Sequence, residues 1–146
     1  MKGKVTSLNI SKEKGTVKLP VESVEINELG IVGDAHSGNW HRQVSLLDLD
    51  SVKNFSEKGG IEINPGDFAE NILTTGVKLK ALVVGDLIKM SDVVLEVTQI
   101  GKECHGNNCS IYQAVGSCIM PKEGIFTKVV ERGKICIGDQ VEIFKK

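Results

Sequence analysis

Short runs in which apolar and polar side chains alternate recur along the chain, as in Val5-Thr6-Ser7-Leu8-Asn9-Ile10, Val24-Glu25-Ile26 and Val93-Val94-Leu95-Glu96-Val97. A period of two sends every second side chain to one face of an extended backbone, so each run predicts a half-buried strand. Glycine, proline and asparagine separate the runs, and sixteen glycines suit a chain that turns often. Gly85-Asp86-Leu87-Ile88 and Gly138-Asp139-Gln140-Val141 repeat one pattern, in which Gly-Asp turns the chain and the next residues re-enter a sheet. Both are expected to be hairpin corners of a barrel. One segment departs from the period of two: Leu46, Leu49, Val52 and Phe55 recur at helical spacing. They predict a helix with Ser45 as N-cap and Asp48 three residues on, ended by Gly59-Gly60 and covering or plugging one barrel end. The fold expected is therefore mainly β, a closed β-barrel with one or a few short helices.

Composition sharpens this picture. A length of 146 residues with 40% hydrophobic content predicts one domain over residues 1–146, and no composition shift or Ser/Pro-rich linker divides the chain. The opening MKGKVTSLNISKEKG lacks the continuous apolar core of a signal peptide, and apolar runs such as residues 81–84 are too short to span a bilayer. A cytoplasmic protein with no membrane contact is expected. Eighteen basic against nineteen acidic residues leave a formal charge of −1, so no global field recruits nucleic acid, and any anionic ligand must be held by local charge. The lysines at the C-terminus read as a solvated tail.

The candidate chemistry concentrates in residues 101–126, GKECHGNNCSIYQAVGSCIMPKEGIF, which hold three of the four cysteines and one of the three histidines. In a reducing compartment such cysteines are thiols, nucleophiles or metal ligands rather than disulfides. Cys104 follows the apolar strand just past Gly101, where a side chain is both positioned and reachable. If strand geometry persists, Lys102 shares its face and favours the thiolate, whereas His105 points to the opposite face and serves as a base only if Gly106-Asn107-Asn108 redirects it. The competing reading is a buried, inert thiol. Cys109, five residues on, could join Cys104 on one ion or in a transient disulfide. With Cys118 and one of His36, His41 or His105 the set reaches four zinc ligands, although Cys-x4-Cys with an isolated third cysteine is not a zinc-ribbon pattern. Cys136, flanked by isoleucines in a final strand, reads as structural.

Two further stretches carry polar groups. Gly33-Asp34-Ala35-His36 and His41-Arg42-Gln43-Val44-Ser45 set two histidines and an arginine just before the predicted helix, suited to an anion, unless Asp34 and Arg42 simply pair across a loop. Pro65-Gly66-Asp67-Phe68-Ala69-Glu70-Asn71-Ile72 brackets a Glu-Asn pair with apolar residues, and such a pair either binds a ligand or ties two strands together.

These segments, with Val5-Thr6-Ser7-Leu8-Asn9-Ile10, Gly101-Lys102-Glu103-Cys104-His105, Met120-Pro121-Lys122-Glu123-Gly124-Ile125-Phe126 and Gly138-Asp139, fall in an order that resembles the MOSC domain, the family named for the C-terminal domain of molybdenum cofactor sulfurase. The chain is most similar to the short stand-alone bacterial members. The resemblance implies a barrel of the pyruvate-kinase type and a cysteine that carries sulfur as a persulfide or ligates molybdenum. Cys104 best matches that cysteine, with His105 and Cys109 as its expected catalytic companions and Cys118 as a further metal ligand. His36, His41, Arg42 and Asn71 match positions expected to line the pocket, and Lys102 and Lys122 add charge for an anionic molybdenum cofactor (molybdopterin). The pyridoxal phosphate (PLP) chemistry of sulfurases belongs to a separate domain, so no PLP site is expected here and a cysteine desulfurase must supply the sulfur. The implied function is a sulfur carrier that delivers to molybdenum cofactor or another metal–sulfur centre, partnered by a molybdoenzyme or a molybdopterin-biosynthesis protein. The alternatives are a molybdopterin-binding redox protein and a cofactor carrier, both with the cysteine as ligand.

Overall fold

The computed structural model describes residues 2–13, 17–60, 62–101 and 124–146. Its elements in chain order are β1 (Lys2–Ile10), β2 (Leu19–Val21), β3 (Ser23–Asn27), β4 (Gly30–Ile31), β5 (Val44–Asp48), α1 (Leu49–Gly59), β6 (Ile72–Thr75), a 3-10 turn at Leu79–Ala81, β7 (Leu87–Met90), β8 (Val93–Ile100), β9 (Ile125–Glu131), β10 (Gly133–Cys136) and β11 (Gln140–Phe144). The period-two runs are the strands expected of them. Seven strands close into a barrel in the order β1-β6-β5-β9-β8-β7-β11, with β11 returning to β1 through the register pairs Lys2↔Glu142, Gly3↔Val141 and Lys4↔Gln140. Every pair is antiparallel except β5–β6. β2 extends the sheet beyond the far half of β1, and β10-β3-β4 form a separate three-stranded sheet.

Inward-facing side chains of the barrel strands, among them Val5, Leu8, Leu46, Ile72, Ile88, Leu95, Val97, Ile125 and Val141, form one buried apolar cluster, to which the small sheet adds Val24, Ile26 and Ile135. Their immediate neighbours Leu47, Leu73 and Phe126 point the other way and form a second cluster with Val52 and Phe68. Phe55 of α1 meets Phe68 edge-on at 5.2 Å between ring centroids. Because adjacent residues of a strand face opposite sides of the sheet, α1 packs on the outer wall over β5 and β6 rather than over a barrel end. The helix also starts later than the spacing of Leu46 and Leu49 predicts. Ser45 lies inside β5, and Asp48 is the N-cap, its carboxylate accepting the Asp50 amide at 3.0 Å. Val44, Leu46 and Leu47 are fully buried because β5 is covered by the barrel core on one side and by α1 on the other, which erases the strand alternation and imitates a helical stripe. The helix ends as expected, at Gly60 in the left-handed conformation (φ 64°, ψ 28°).

The two Gly-Asp segments are corners but not hairpins, since the strands flanking each of them pair with other partners. They are built alike. Asp86 accepts the Val83 amide at 2.9 Å and Asp139 accepts the Cys136 amide at 2.8 Å, each reaching three residues back. Each corner is also strapped to a barrel strand by two reciprocal backbone bonds, Gly85 and Asp86 to Val97, and Gly138 and Asp139 to Val5. Lys145 and Lys146 are exposed, as expected of a solvated tail, yet the tail is anchored: the Asp86 carboxylate accepts the Lys145 ammonium and the Lys146 amide. Those donors, Lys145 first, hold its pKa down to about 2.

Gly3 sits where β1 is gripped by both β11 and β6. A Cβ there would stand 2.1 Å from the carbonyl oxygen of Thr75, too close for any atom pair, and the obstacle is backbone. Gly3→Ala is therefore expected to destabilise the barrel by about 1–3 kcal/mol, the usual cost of overpacking, read as a lower urea midpoint with unchanged slope.

Candidate functional site

The segment between β4 and β5 carries most of the predicted pocket residues, and a buried ion pair holds its start. Lys18, just before β2, is entirely buried, and its ammonium donates to Asp34 Oδ1 at 2.7 Å, to Ser11 Oγ at 3.2 Å and to His36 Nδ1 at 2.9 Å. Asp34 also accepts the amides of Ser11 and His36. Burial alone would raise the Asp34 pKa, but the hydrogen bond and charge of Lys18, with the two amides, outweigh it and hold the carboxyl below its ordinary value. Asp34 thus pairs with Lys18 and not with Arg42. An ammonium has only protons to offer, so a hydrogen bond at this contact requires the lone pair of His36 Nδ1.

From His36 the chain builds a stack. The ring of His36 lies nearly parallel to Trp40, with 6.4 Å between centroids and 8° between planes, and the Trp40 indole donates to the His36 carbonyl at 2.8 Å. The Arg42 guanidinium sits 4.7 Å from the centroid of the Trp40 ring and 5.8 Å from that of Phe126, within cation–π range of both. Its Nε is buried and has no hydrogen-bond partner among the described residues. His41, edge-on to Trp40, donates from Nε2 to Gln99 Oε1 at 2.8 Å. Gln99 in turn donates to the Gly101 carbonyl at 2.7 Å, and the Thr98 hydroxyl bonds the His41 carbonyl. The Gly101 amide donates to the Gly124 carbonyl at 2.7 Å, so the stack is tied to the last described residue before 102–123.

His36, His41 and Arg42 are thus brought together. Asn71 is separate from them: it is fully buried, accepts the backbone N–H and hydroxyl of Ser45, and donates to the Asn9 carbonyl, tying β5 and β1 across the start of β6. Its neighbour Glu70 accepts the amides of Gly66 at 2.8 Å and Phe68 at 3.1 Å, closing the loop before β6. Of the two readings left open for this pair, strand tying describes its contacts. Lys102, Cys104, His105, Cys109, Cys118 and Lys122 lie outside the described residues. Among the described residues, no group of three His, Cys, Asp or Glu side chains could hold a metal ion, and no helix is long and apolar enough to cross a membrane. Cys136 in β10 is a half-buried free thiol.

Sequence reasoning missed Lys18, Trp40 and Gln99. Trp40 carried a signal, as the only tryptophan in the chain, directly preceding His41-Arg42. Lys18 lies between Val17 and Leu19, which gives no hint that the charged member of the three is the buried one.

The fold and site together define a small β-barrel protein with a cationic, aromatic stack hydrogen-bonded to the end of β8. A family model of the MOSC domain matches residues 33–142, and the chain belongs to that family, which is associated with molybdenum cofactor sulfurase-like proteins. Among solved structures, the YuaD protein from Bacillus subtilis superposes with a TM-score of 0.82 at 20% identity, covering 100% of this chain and 97% of that one. YiiM from Geobacillus stearothermophilus gives 0.77 at 19% identity, covering 98% and 75%. YiiM from Escherichia coli gives 0.66 at 21% identity, covering 100% and 71%. These likenesses establish the fold. A curated protein from Gibberella moniliformis, named "Reductase", is 26% identical over an alignment of 128 positions that covers 80% of this chain but 23% of that protein.

Burial pushes the Glu70 pKa from its ordinary 4.5 up to about 7, even though the two loop amides pull it down. A carboxyl raised in the folded state holds its proton where the unfolded chain has lost it, so its contribution to stability is complete below about pH 4.5 and disappears as pH rises to about 7. The fall expected is about 3 kcal/mol. Urea titrations of the parent protein should show this slope, and Glu70→Gln, uncharged throughout, should lack it.

Proposed function

We propose that this protein is a sulfur-carrier domain that accepts sulfane sulfur on Cys104 and delivers it toward molybdenum cofactor. The observation that carries the proposal is the placement of the His36–Trp40–Arg42 stack, which hydrogen bonds through His41 and Gln99 join to Gly101, three residues before Cys104 in the sequence. Membership of the MOSC family supports the link to that cofactor.

The cofactor is here the acceptor of cargo, and the described residues suit its anionic part. Arg42 offers a guanidinium whose Nε is buried without a partner among the described residues, so a phosphate or other anion reaching the stack would meet a donor with an unmet hydrogen bond. Trp40 and Phe126 fix the plane of that guanidinium, which favours bidentate contact with an oxyanion.

Two balanced steps describe the relay. The Cys104 thiolate attacks the outer sulfur of a donor persulfide. A new S–S bond forms on Cys104 as the donor's own S–S bond breaks, and the donor leaves as a thiolate. Cys109 then attacks Cys104 at the inner sulfur, giving a Cys104–Cys109 disulfide and releasing the outer sulfur as sulfide. The two thiols are oxidised as that sulfur is reduced, and a dithiol reductant restores them. A PLP-dependent cysteine desulfurase is the fitting donor, and a molybdoenzyme or molybdopterin-biosynthesis protein is the fitting recipient. The name of the Gibberella moniliformis relative favours a second reading, a redox protein with Cys104 as a permanent molybdenum ligand.

Incubation with a cysteine desulfurase and cysteine, without oxygen, should add one reductant-labile sulfur atom to Cys104 by intact mass and peptide mapping. Cys104→Ala should gain none at that position. An unmodified Cys104 in protein that purifies with molybdopterin would replace the carrier reading with the redox one. Arg42→Lys keeps the charge but loses the planar fork, and should weaken molybdopterin binding by about tenfold in fluorescence titration.

A further inference from the structure

We propose that Lys18 is a positioning residue, which fixes His36 as the neutral Nε2–H tautomer so that His36 serves the site as a hydrogen-bond donor and not as a base. The argument rests on the direction in which protons can point. Lys18 Nζ lies 2.9 Å from His36 Nδ1, and the ammonium carries no lone pair with which to accept. The basic lone pair of the imidazole is therefore occupied. For His36 to take a proton from a substrate, that contact would have to break inside a pocket where the side chains of Lys18 and Asp34 are both fully buried.

The surroundings hold the arrangement in place. Asp34 Oδ1 accepts from Lys18 at 2.7 Å, while its Oδ2 stands 3.9 Å from His36 Nδ1, beyond hydrogen-bond reach, and is engaged by the His36 amide. Lys18 itself is fixed by its backbone, whose N–H donates to the Gly66 carbonyl at 2.9 Å. Gly66 tolerates that approach because it has no side chain: a Cβ would lie 1.9 Å from the Lys18 carbonyl oxygen. The ring plane is set by the stack on Trp40. Lys18 and Asp34 bracket Nδ1, and Arg42 lies beyond Trp40. If the ammonium is removed and the carboxylate kept, Asp34 becomes the nearest partner of Nδ1 and draws a proton onto it.

The tautomer can be observed without sulfur, cofactor or partner protein, by long-range proton–nitrogen correlation NMR on uniformly nitrogen-labelled protein. In the parent protein His36 should show a single Nε2–H pattern at neutral pH. In Lys18→Met the Nδ1 position should gain a proton, shifting the balance by about tenfold or more, the factor a charge-assisted hydrogen bond commands. Should Lys18→Met fail to fold, Lys18→Met/Asp34→Asn removes both charges, and His36 should then show the mixed tautomers of a free imidazole. An Nδ1–H or doubly protonated His36 in the parent protein would overturn the proposal, as would an unchanged Nε2–H pattern in whichever variant folds. The consequence for the site rests on the sulfur-carrier reading: the pH profile of desulfurase-dependent loading of Cys104 should gain, in the double variant, one inflection in the imidazole range that the parent profile lacks. The NMR result stands whether or not Cys104 accepts sulfur, and Cys104→Ala protein should give the same His36 pattern as the parent.

Discussion

A ring with an odd number of strands cannot alternate in direction all the way round. With seven strands in the barrel, at least one neighbouring pair must run parallel, and here that pair is β5 and β6. Parallel neighbours cannot be joined by a tight turn, because the chain has to travel back along the full length of the strand before it can begin the next. The helix α1 makes that return, and it does so on the outer wall because the interior is filled by side chains from the other strands. Much else follows from this seam. The second apolar cluster exists to seat α1, and the Asn71 side chain stitches β5 to β1 where β6 begins.

The same seam explains which parts of the fold were legible in the sequence. Strands with one wet or polar side, such as β1, β3 and β8, keep the period of two and were read correctly. β5 is dry on both sides, so Val44-Ser45-Leu46-Leu47 lost its alternation, and its leucines merged with those of α1 into a false helical stripe. The Gly-Asp corners were visible as turns, since Gly85 (φ 101°) and Gly138 (φ 93°) adopt backbone angles that suit glycine. That they join strands which do not pair with each other was not visible, because local turn chemistry is silent about distant partners.

The site was legible in proportion to how local it is. His36, His41 and Arg42 are near one another in sequence and remain so in space, stacked through Trp40. Lys18, just before β2, and Gln99, in β8, join them from elsewhere in the chain, and contacts across 18 and 58 residues leave no trace in spacing. Burying a lysine and an aspartate together costs desolvation on both sides, and the pair is tolerated because three ammonium donations and the amides around Asp34 satisfy it.

The bond between Gly101 and Gly124 has a consequence for how such a protein can change over time. β8 and β9 are already neighbours through their own ladder, so the two ends of the intervening 22 residues are brought together by the barrel and not by the segment itself. Lengthening a loop whose ends are fixed is thermodynamically mild, about 0.6 kcal/mol for each doubling. Extra length in that interval therefore carries little penalty to folding, because the ladder between β8 and β9 already holds its two ends together.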